Sequence, residues 1–216
     1  MRAARDTLAA GFPGYGMIKI YNFPRGRGVR VVWLCEEMGL PYRIEPVSFP
    51  PSDEYRRINP LGQVPFLEDE GDVAINESIA MLLYLAEKYG PSPLLPAKND
   101  PKFARVLQMT VFGEATLGAS INSLMIDRFM VPEGEKSGTL VKLVEGRVEQ
   151  QVSYVERILG AGPFLAGSEF TIADISVTYA LGIWSGFLQK PLSAAVAAYV
   201  QRVTSRPAYE RAGKAQ

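Results

Sequence analysis

The amino-acid sequence predicts a small α/β domain followed by an all-α domain. Strand-like and helix-like patterns alternate between residues 17 and 90, a proline-rich stretch interrupts the chain at residues 91–96, and only helical patterns follow it. At about 150 residues per domain, a chain of 216 residues forms one large domain or two small ones. The change of pattern at the prolines favours two.

The segments of the first domain follow one another in the order βαβαββα. The predicted elements are a strand at 17–21, a helix at 28–38, a strand at 42–47, a helix at 52–58, a hairpin of 66–67 with 73–75, and a helix at 77–89. Strands that alternate with helices pair in parallel, and the closing hairpin adds an antiparallel edge. This order matches a thioredoxin-like layer.

The second half of the chain shows helical periodicity alone. Apolar residues recur at helical spacing over 102–130, 141–159 and 193–205. The nearly continuous apolar run at 172–188 predicts a helix that is buried on all sides. The sequence therefore predicts three parts: a disordered N-terminal extension at 1–16, a thioredoxin-like domain at 17–92 and an α-helical domain at 93–216.

Composition excludes several classes of function. The 23 basic and 23 acidic residues cancel, so no net charge attracts nucleic acid or an anionic membrane. With no histidine and one cysteine, the chain cannot build a Ser-His-Asp triad, a zinc site that needs imidazole or several thiolates, or an internal disulfide. No apolar run reaches the ~20 residues of a membrane-spanning helix. We therefore expect a cytoplasmic protein without metal, nucleic-acid or membrane partners.

Two short motifs place polar groups where a ligand can bind. Asn59–Pro65 (NPLGQVP) precedes the third strand, and a cis peptide bond before Pro65 would leave the backbone N–H and C=O of Val64 available to a ligand. Asn76–Ser78 (NES) opens the helix at 77–89, where unpaired amides and the helix dipole favour a carboxylate. Considered alone, the first motif is also typical of a turn and the second of an ordinary helix cap.

A third motif predicts the start of a helix. Thr171 and Asp174 have the spacing of a capping box, and Phe170 with Ile175 has the spacing of a hydrophobic staple. We expect these residues to be structural.

Together the motifs resemble the cytosolic glutathione S-transferases. NPLGQVP, NES and FLAGSEFTIAD occur in that family's order, with GLPY after the first helix and RPAYERA near the C-terminus. The resemblance extends from about Met17 to Ala212. It implies a homodimer that binds glutathione as co-substrate in its thioredoxin-like domain and uses no metal.

The resemblance also implies roles for single residues of a glutathione site. Val64, presented by a cis Pro65, would pair with the cysteinyl backbone of glutathione. Ser78 would hold the γ-glutamyl carboxylate, Glu77 would lie towards the ammonium group, and Gln63 would lie near the glycyl end.

In this family the helical domain supplies the pocket for the electrophile. The candidates are large apolar side chains at helical spacing: Met109, Phe112, Met125, Phe129, Trp184 and Phe187. Such side chains are also typical of an ordinary helical core.

The segment after the first strand departs from the family pattern. Members usually place a Tyr, Ser or Cys there to hydrogen-bond the glutathione sulfur, whereas Asn22–Arg30 (NFPRGRGVR) has neither a hydroxyl nor a thiol. Tyr21 ends the strand, and we expect it to point with alternate strand residues. Cys35 falls two turns into the helix and is expected in the core.

Two interpretations of this segment stay open. In one, the catalytic groups are Arg25, Arg27, Asn22 and the backbone amides of Gly26–Gly28, which together stabilise a thiolate. In the other, the segment is a glycine-rich turn with solvated arginines.

The expected reaction is attack by the bound thiolate on a small hydrophobic electrophile. Two alternatives remain at this point. One is a glutathione-dependent disulfide or peroxide reductase, or an isomerase. The other is a non-catalytic protein that binds glutathione.

Overall fold

The computed structural model describes residues 16–215, so the predicted extension at 1–16 lies almost wholly outside the described residues. The chain forms two compact units. The first, here called the N-terminal unit, runs to Gly90 and also includes the chain from Arg206 onward. The second, the helical unit, is Pro91–Ser205.

A four-stranded sheet forms the centre of the N-terminal unit. Its strands are β1 (Ile18–Asn22), β2 (Tyr42–Pro46), β3 (Phe66–Asp69) and β4 (Val73–Ile75). They lie in the order β2-β1-β3-β4, with β1 parallel to β2, and with β3 antiparallel to both β1 and β4. The thioredoxin-like fold predicted from the order of segments is confirmed.

Three helices connect or follow these strands. They are α1 (Val29–Met38), α2 (Asp53–Ile58) and α3 (Ser78–Lys88). Ile18 and Ile20 alternate along β1 and are fully buried, as are Val31 and Leu34 of α1 and Leu82 of α3. This apolar core holds the start of α1 and the start of α3, where the candidate ligand-binding groups lie.

The helical unit contains the long helices that periodicity predicted. They are α4 (Lys102–Val111), α5 (Ala119–Met130), α6 (Gly138–Leu159), α7 (Ile172–Gly182) and α8 (Ala194–Thr204). A π-helical segment, Phe112–Gly118, joins α4 to α5, and another, Ile183–Phe187, follows α7. Apart from Tyr179 and Gly182, every residue of α7 is buried, as the apolar run predicted.

The last helix, α9 (Pro207–Ala215), is the main departure from the sequence-based description. The sequence predicts that the helical pattern ends before Pro207, yet this proline is the first residue of α9, where its missing N–H removes no helical hydrogen bond. The helix packs on α1 in the N-terminal unit, whereas the division by sequence assigned it to the domain at 93–216. Arg206 makes a bidentate ion pair with Glu37, at 2.6 and 2.7 Å.

The described residues 16–215 contain no helix that is long and apolar enough to cross a membrane. In the same range, no cluster of three or more acidic or cysteine side chains has the arrangement of a metal site.

Candidate functional site

The turn between β1 and α1 is built around the Asn22 side chain. Asn22 is 1% exposed, and its Oδ1 accepts a hydrogen bond from the Gly28 amide at 3.3 Å. A Cβ atom on Gly26 or Gly28 would overlap the Asn22 side chain, so the close approach of this turn requires glycine at both positions. The buried Asn22 side chain therefore fixes the conformation of the turn by hydrogen bonding and by packing against its two glycines.

Two of the amides predicted to stabilise a thiolate already donate within the protein. The Gly26 amide donates to the Phe23 carbonyl at 2.9 Å, and the Gly28 amide donates to Asn22. Arg25 is exposed and has a φ of 65°, and Arg27 is half-buried. An N–H that already donates to a protein acceptor contributes little to a second hydrogen bond with a thiolate. The two arginines are therefore the main remaining candidates for stabilising the thiolate.

Tyr21 and Cys35 lie where sequence analysis expected them. The Tyr21 hydroxyl donates to Glu68 Oε2 at 3.2 Å, on the sheet face opposite to Asn22. Burial, followed by the nearby Glu68 carboxylate, raises the pKa of Tyr21. Cys35 is fully buried, and this burial raises the pKa of its thiol well above the usual range, so the thiol is inert.

The loop before β3 presents the backbone of Val64. The Val64–Pro65 peptide bond is cis, as the resemblance implied. The Tyr55 hydroxyl and the Asn59 side-chain amide both donate to the Gln63 carbonyl, at 2.6 and 2.7 Å, and hold the loop. Val64 is half-buried, and within residues 16–215 its N–H and C=O have no hydrogen-bond partner. Both groups are therefore available to a ligand.

The start of α3 brings together Glu77, Ser78 and one residue that sequence analysis did not single out. Ser78 is the first helical residue and is 3% exposed, and Glu77 before it is exposed with a φ of 70°. Arg30 of α1 is 1% exposed, and its Nη1 donates to Ser78 Oγ at 3.0 Å. A signal was present in the sequence, because Arg30 is the one charged residue in the otherwise apolar run 28–35 (GVRVVWLC), and an arginine in such a run is rarely buried without a partner.

Comparison with known proteins identifies the family. Residues 28–88 match the model of the glutathione S-transferase N-terminal domain, and residues 125–210 match that of the C-terminal domain. A glutathione S-transferase of Drosophila melanogaster is 33% identical over 168 residues, which are 74% of this chain and 71% of that protein. The chain belongs to the cytosolic glutathione S-transferase family.

Solved glutathione transferase structures agree with the fold described above. A glutathione transferase of Methylococcus capsulatus is 26% identical, with a TM-score of 0.81 over 92% of this chain and 98% of the other. One of Phanerochaete chrysosporium, crystallised with oxidized glutathione, is 27% identical, with a TM-score of 0.80 over 91% and 93% of the two chains. The architecture of this chain is thus that of its family.

The residues predicted for an electrophile pocket differ in exposure within the helical unit. Met109 and Trp184 are buried in the core of that unit, at 0% and 2% exposed. Phe112 and Met125 are half-buried, and the ring of Phe112 packs against that of Tyr154, with centroids 5.4 Å apart and the planes tilted by 57°. Phe129 is 59% exposed and Phe187 is 46% exposed. Of the six candidates, Phe112, Met125, Phe129 and Phe187 therefore offer accessible apolar surface, whereas for Met109 and Trp184 the interpretation as ordinary core residues is favoured.

The predicted capping box is present at the start of α7. The buried Asp174 accepts from the Thr171 amide at 2.8 Å. It also accepts from the Leu165 amide at 3.0 Å and from the Tyr199 hydroxyl at 2.9 Å. Asp174 is thus the centre of a buried network in this transferase fold, which is more than a helix cap.

Proposed function

We propose that this protein binds glutathione in its N-terminal unit and uses the bound thiolate to attack a small hydrophobic electrophile. Membership of the glutathione S-transferase family supports the class of reaction. The residues of this chain that support ligand binding lie in the loop before β3 and at the start of α3.

The observation that carries this proposal is the unpaired backbone of Val64. A free N–H and C=O on one residue can bind a short peptide through paired main-chain hydrogen bonds, as the edge of a sheet does. The cysteinyl residue of glutathione has the matching donor and acceptor. Pairing at Val64 would fix the tripeptide with its γ-glutamyl group on one side and its glycyl carboxylate, near Gln63, on the other.

The start of α3 supplies the second part of the site. The first amides of a helix have no acceptor within it, and the dipole makes this end positive. Ser78 adds a hydroxyl there, and the exposed Glu77 adds a carboxylate. The pair is complementary to the α-carboxylate and the α-ammonium of the γ-glutamyl group, respectively.

The proposed reaction is a nucleophilic displacement without a redox step. On binding, the glutathione thiol loses its proton to solvent, because residues 22–30 carry no carboxylate, histidine or other general base to accept it. The sulfur then forms a carbon–sulfur bond, and the leaving group departs with the electron pair of the bond that breaks. The contribution of the protein is orientation of the sulfur and stabilisation of its negative charge.

The alternative of a thiol–disulfide reductase receives less support from the chain. A reductase that works through a protein mixed disulfide needs an accessible cysteine with a low pKa. Cys35 is the one cysteine in the sequence, it is fully buried, and its thiol pKa is raised by that burial. The lack of a reactive cysteine in this chain therefore favours displacement chemistry, in which the glutathione sulfur is the only reacting thiol.

Non-catalytic binding of glutathione is the second candidate, and one observation favours it. Residues 22–30 contain no hydroxyl or thiol, and the Gly26 and Gly28 amides already have acceptors. A protein of this kind would bind glutathione without lowering the pKa of its thiol.

Titration calorimetry with glutathione tests the binding proposal directly. We expect Ser78→Ala to weaken binding by about 1.5–3 kcal/mol, since it removes a hydrogen bond to a charged group. Ser48→Ala, an exposed serine of the same unit, is the matched control and should bind like the parent. Equal affinity of the parent and Ser78→Ala would remove Ser78 from the site. Turnover of a chloronitrobenzene by the parent separates a transferase from a binding protein.

A further inference from the structure

We propose that Arg30 is a positioning residue of the glutathione site. It directs the hydroxyl proton of Ser78 at the γ-glutamyl carboxylate and so makes the site selective for ligands that carry this carboxylate. The inference rests on the proposed binding of glutathione, and it assigns the selectivity to a side chain that lies beneath the ligand.

The first step is the direction of the hydrogen bond between the two residues. Arg30 Nη1 lies 3.0 Å from Ser78 Oγ, and both side chains are buried, at 1% and 3% exposed. A guanidinium group can only donate, whereas a hydroxyl donates and accepts. The Ser78 oxygen must therefore be the acceptor, and its own proton must point away from Arg30.

The second step concerns the acceptor of that proton. A serine inside a helix commonly donates to the carbonyl four residues earlier. Ser78 is the first residue of α3, and the residue four positions earlier, Ala74, belongs to strand β4. Within the part of the chain that the structure describes, no residue accepts the Ser78 proton. A buried hydroxyl proton without an acceptor points to an acceptor supplied by a ligand.

The third step is the chemistry of the ligand group. The Ser78 proton lies at the N-terminus of an 11-residue helix, where the first amides and the dipole favour an anion. The guanidinium behind the hydroxyl keeps its charge at every working pH, and it polarises the O–H bond towards stronger donation. A carboxylate accepts from both the hydroxyl and the helix amides, whereas a neutral ligand group gains little from this arrangement.

The experiment pairs two ligands with variants of Arg30. The ligands are glutathione and its analogue 4-aminobutanoyl-cysteinylglycine, which lacks only the γ-glutamyl α-carboxylate. For each protein, calorimetry gives the ratio of the dissociation constant of the analogue to that of glutathione. We expect this ratio to fall about tenfold from the parent to Arg30→Met, because the hydroxyl proton is no longer directed and polarised.

Further variants separate this role from a purely structural one. Val31→Ala empties space in the same buried helix and should lower the melting temperature without changing the ratio. Arg30→Gln keeps a polar group without the charge, and we expect the same ratio of dissociation constants to fall in this variant as well. If Arg30→Met does not fold, Arg30→Gln provides the test.

Each outcome separates the inference from the proposal beneath it. A parent that binds neither ligand overturns the proposed function. A parent that binds both ligands equally well shows that no carboxylate subsite lies at Ser78; it overturns the inference and the assignment of Ser78 to the carboxylate, while the proposed binding of glutathione stands. Arg30 variants that weaken both ligands by the same factor show that Arg30 only supports the fold, and this result also overturns the inference.

Discussion

At the scale of single residues, Arg25 and Arg27 distinguish this site from the usual pattern of its family. Both lie in the turn where other members place a hydroxyl or thiol, and both keep a positive charge at any working pH. Arg25 is exposed, so water and salt screen its charge, whereas Arg27 is half-buried and immediately precedes Gly28, the N-cap residue of α1. Arg27 is therefore the better placed of the two to stabilise a thiolate.

This difference predicts the titration of bound glutathione. Free glutathione should titrate near the ~8.5 of a cysteine thiol, and we expect bound glutathione to titrate about one unit lower. Arg27→Ala should return the thiol pKa towards the free value, with a smaller change for Arg25→Ala. The measurement is ultraviolet thiolate absorbance against pH, with the exposed Arg105→Ala of the helical unit as the control.

Two results would contradict the assignment of the arginines. If bound glutathione titrates like free glutathione in the parent, the protein does not activate the sulfur, and the binding-protein alternative is supported. If the thiol pKa is lowered in the parent and in both variants, another group of the turn carries the effect.

At the scale of secondary-structure elements, Asp69 joins the sheet to α3. Its buried carboxylate, at the end of β3, accepts from Lys88 Nζ at 2.9 Å, the Tyr84 hydroxyl at 2.9 Å and the Tyr89 hydroxyl at 2.8 Å. Burial raises the pKa of Asp69, but the hydrogen bonds from Lys88, Tyr89, Tyr84 and the backbone outweigh it, and the net pKa is below the usual value. The folded state therefore prefers the ionised form.

A pKa that is lower in the folded state gives a defined dependence of stability on pH. The contribution of the Asp69 carboxylate to the free energy of unfolding is fully present above its pKa in the unfolded chain, about 3.9. This contribution is lost as the pH falls through the lower pKa of the folded state. We expect Asp69→Asn to lower the free energy of unfolding by about 1–3 kcal/mol at pH 7, with a deficit that shrinks below about pH 4. Urea unfolding at several pH values, followed by Trp33 fluorescence in a Trp184→Phe background, measures this.

The control for Asp69 lies on the same hairpin. Asp72 is exposed, so Asp72→Asn should unfold like the parent at each pH. A deficit in Asp69→Asn that stays constant down to pH 3 would show that the ionised carboxylate is not the source of the stabilisation.

A second element-scale prediction concerns the start of α7. Asp174→Ala leaves the buried donors of Leu165, Thr171 and Tyr199 without their acceptor, and each unsatisfied donor is costly. We expect Asp174→Ala to lower the free energy of unfolding by about 3 kcal/mol and to leave glutathione affinity unchanged. Unfolding is measured by Trp184 fluorescence in a Trp33→Phe background. Thr171→Ser keeps the cap and should lose much less. A melting temperature like that of the parent in Asp174→Ala would show that this network does not stabilise the unit.

At the scale of the whole molecule, we expect a homodimer. The expectation comes from the family, and each unit has exposed apolar side chains that suit a contact between copies, among them Phe49 at 80% and Leu143 at 68% exposed. Sedimentation at micromolar concentration should give a mass near twice the 23.7 kDa of one chain. A mass of one chain at that concentration would contradict the expected dimer. Such a result would not bear on the fold within one chain.

The order of elements and the motifs at their ends were predictable from sequence because they depend on near neighbours in the chain. Ser52 accepts from the amide of Tyr55, Thr171 pairs with Asp174, and Gly39 ends α1 with a φ of 67°. Each is an interaction over a few residues, and apolar periodicity shows which face of the next helix is buried. The thioredoxin-like order and the helical second half follow from the same local signals.

Contacts between residues far apart in the chain were decided only by the tertiary structure. Arg30 reaches Ser78 across 48 residues, and Arg206 reaches Glu37 across 169, so that α9 packs on α1 in the N-terminal unit. A local pattern shows that a residue is charged or that a helix ends, but the partner that satisfies it depends on how the elements pack, because burial removes the water that would otherwise satisfy the same groups.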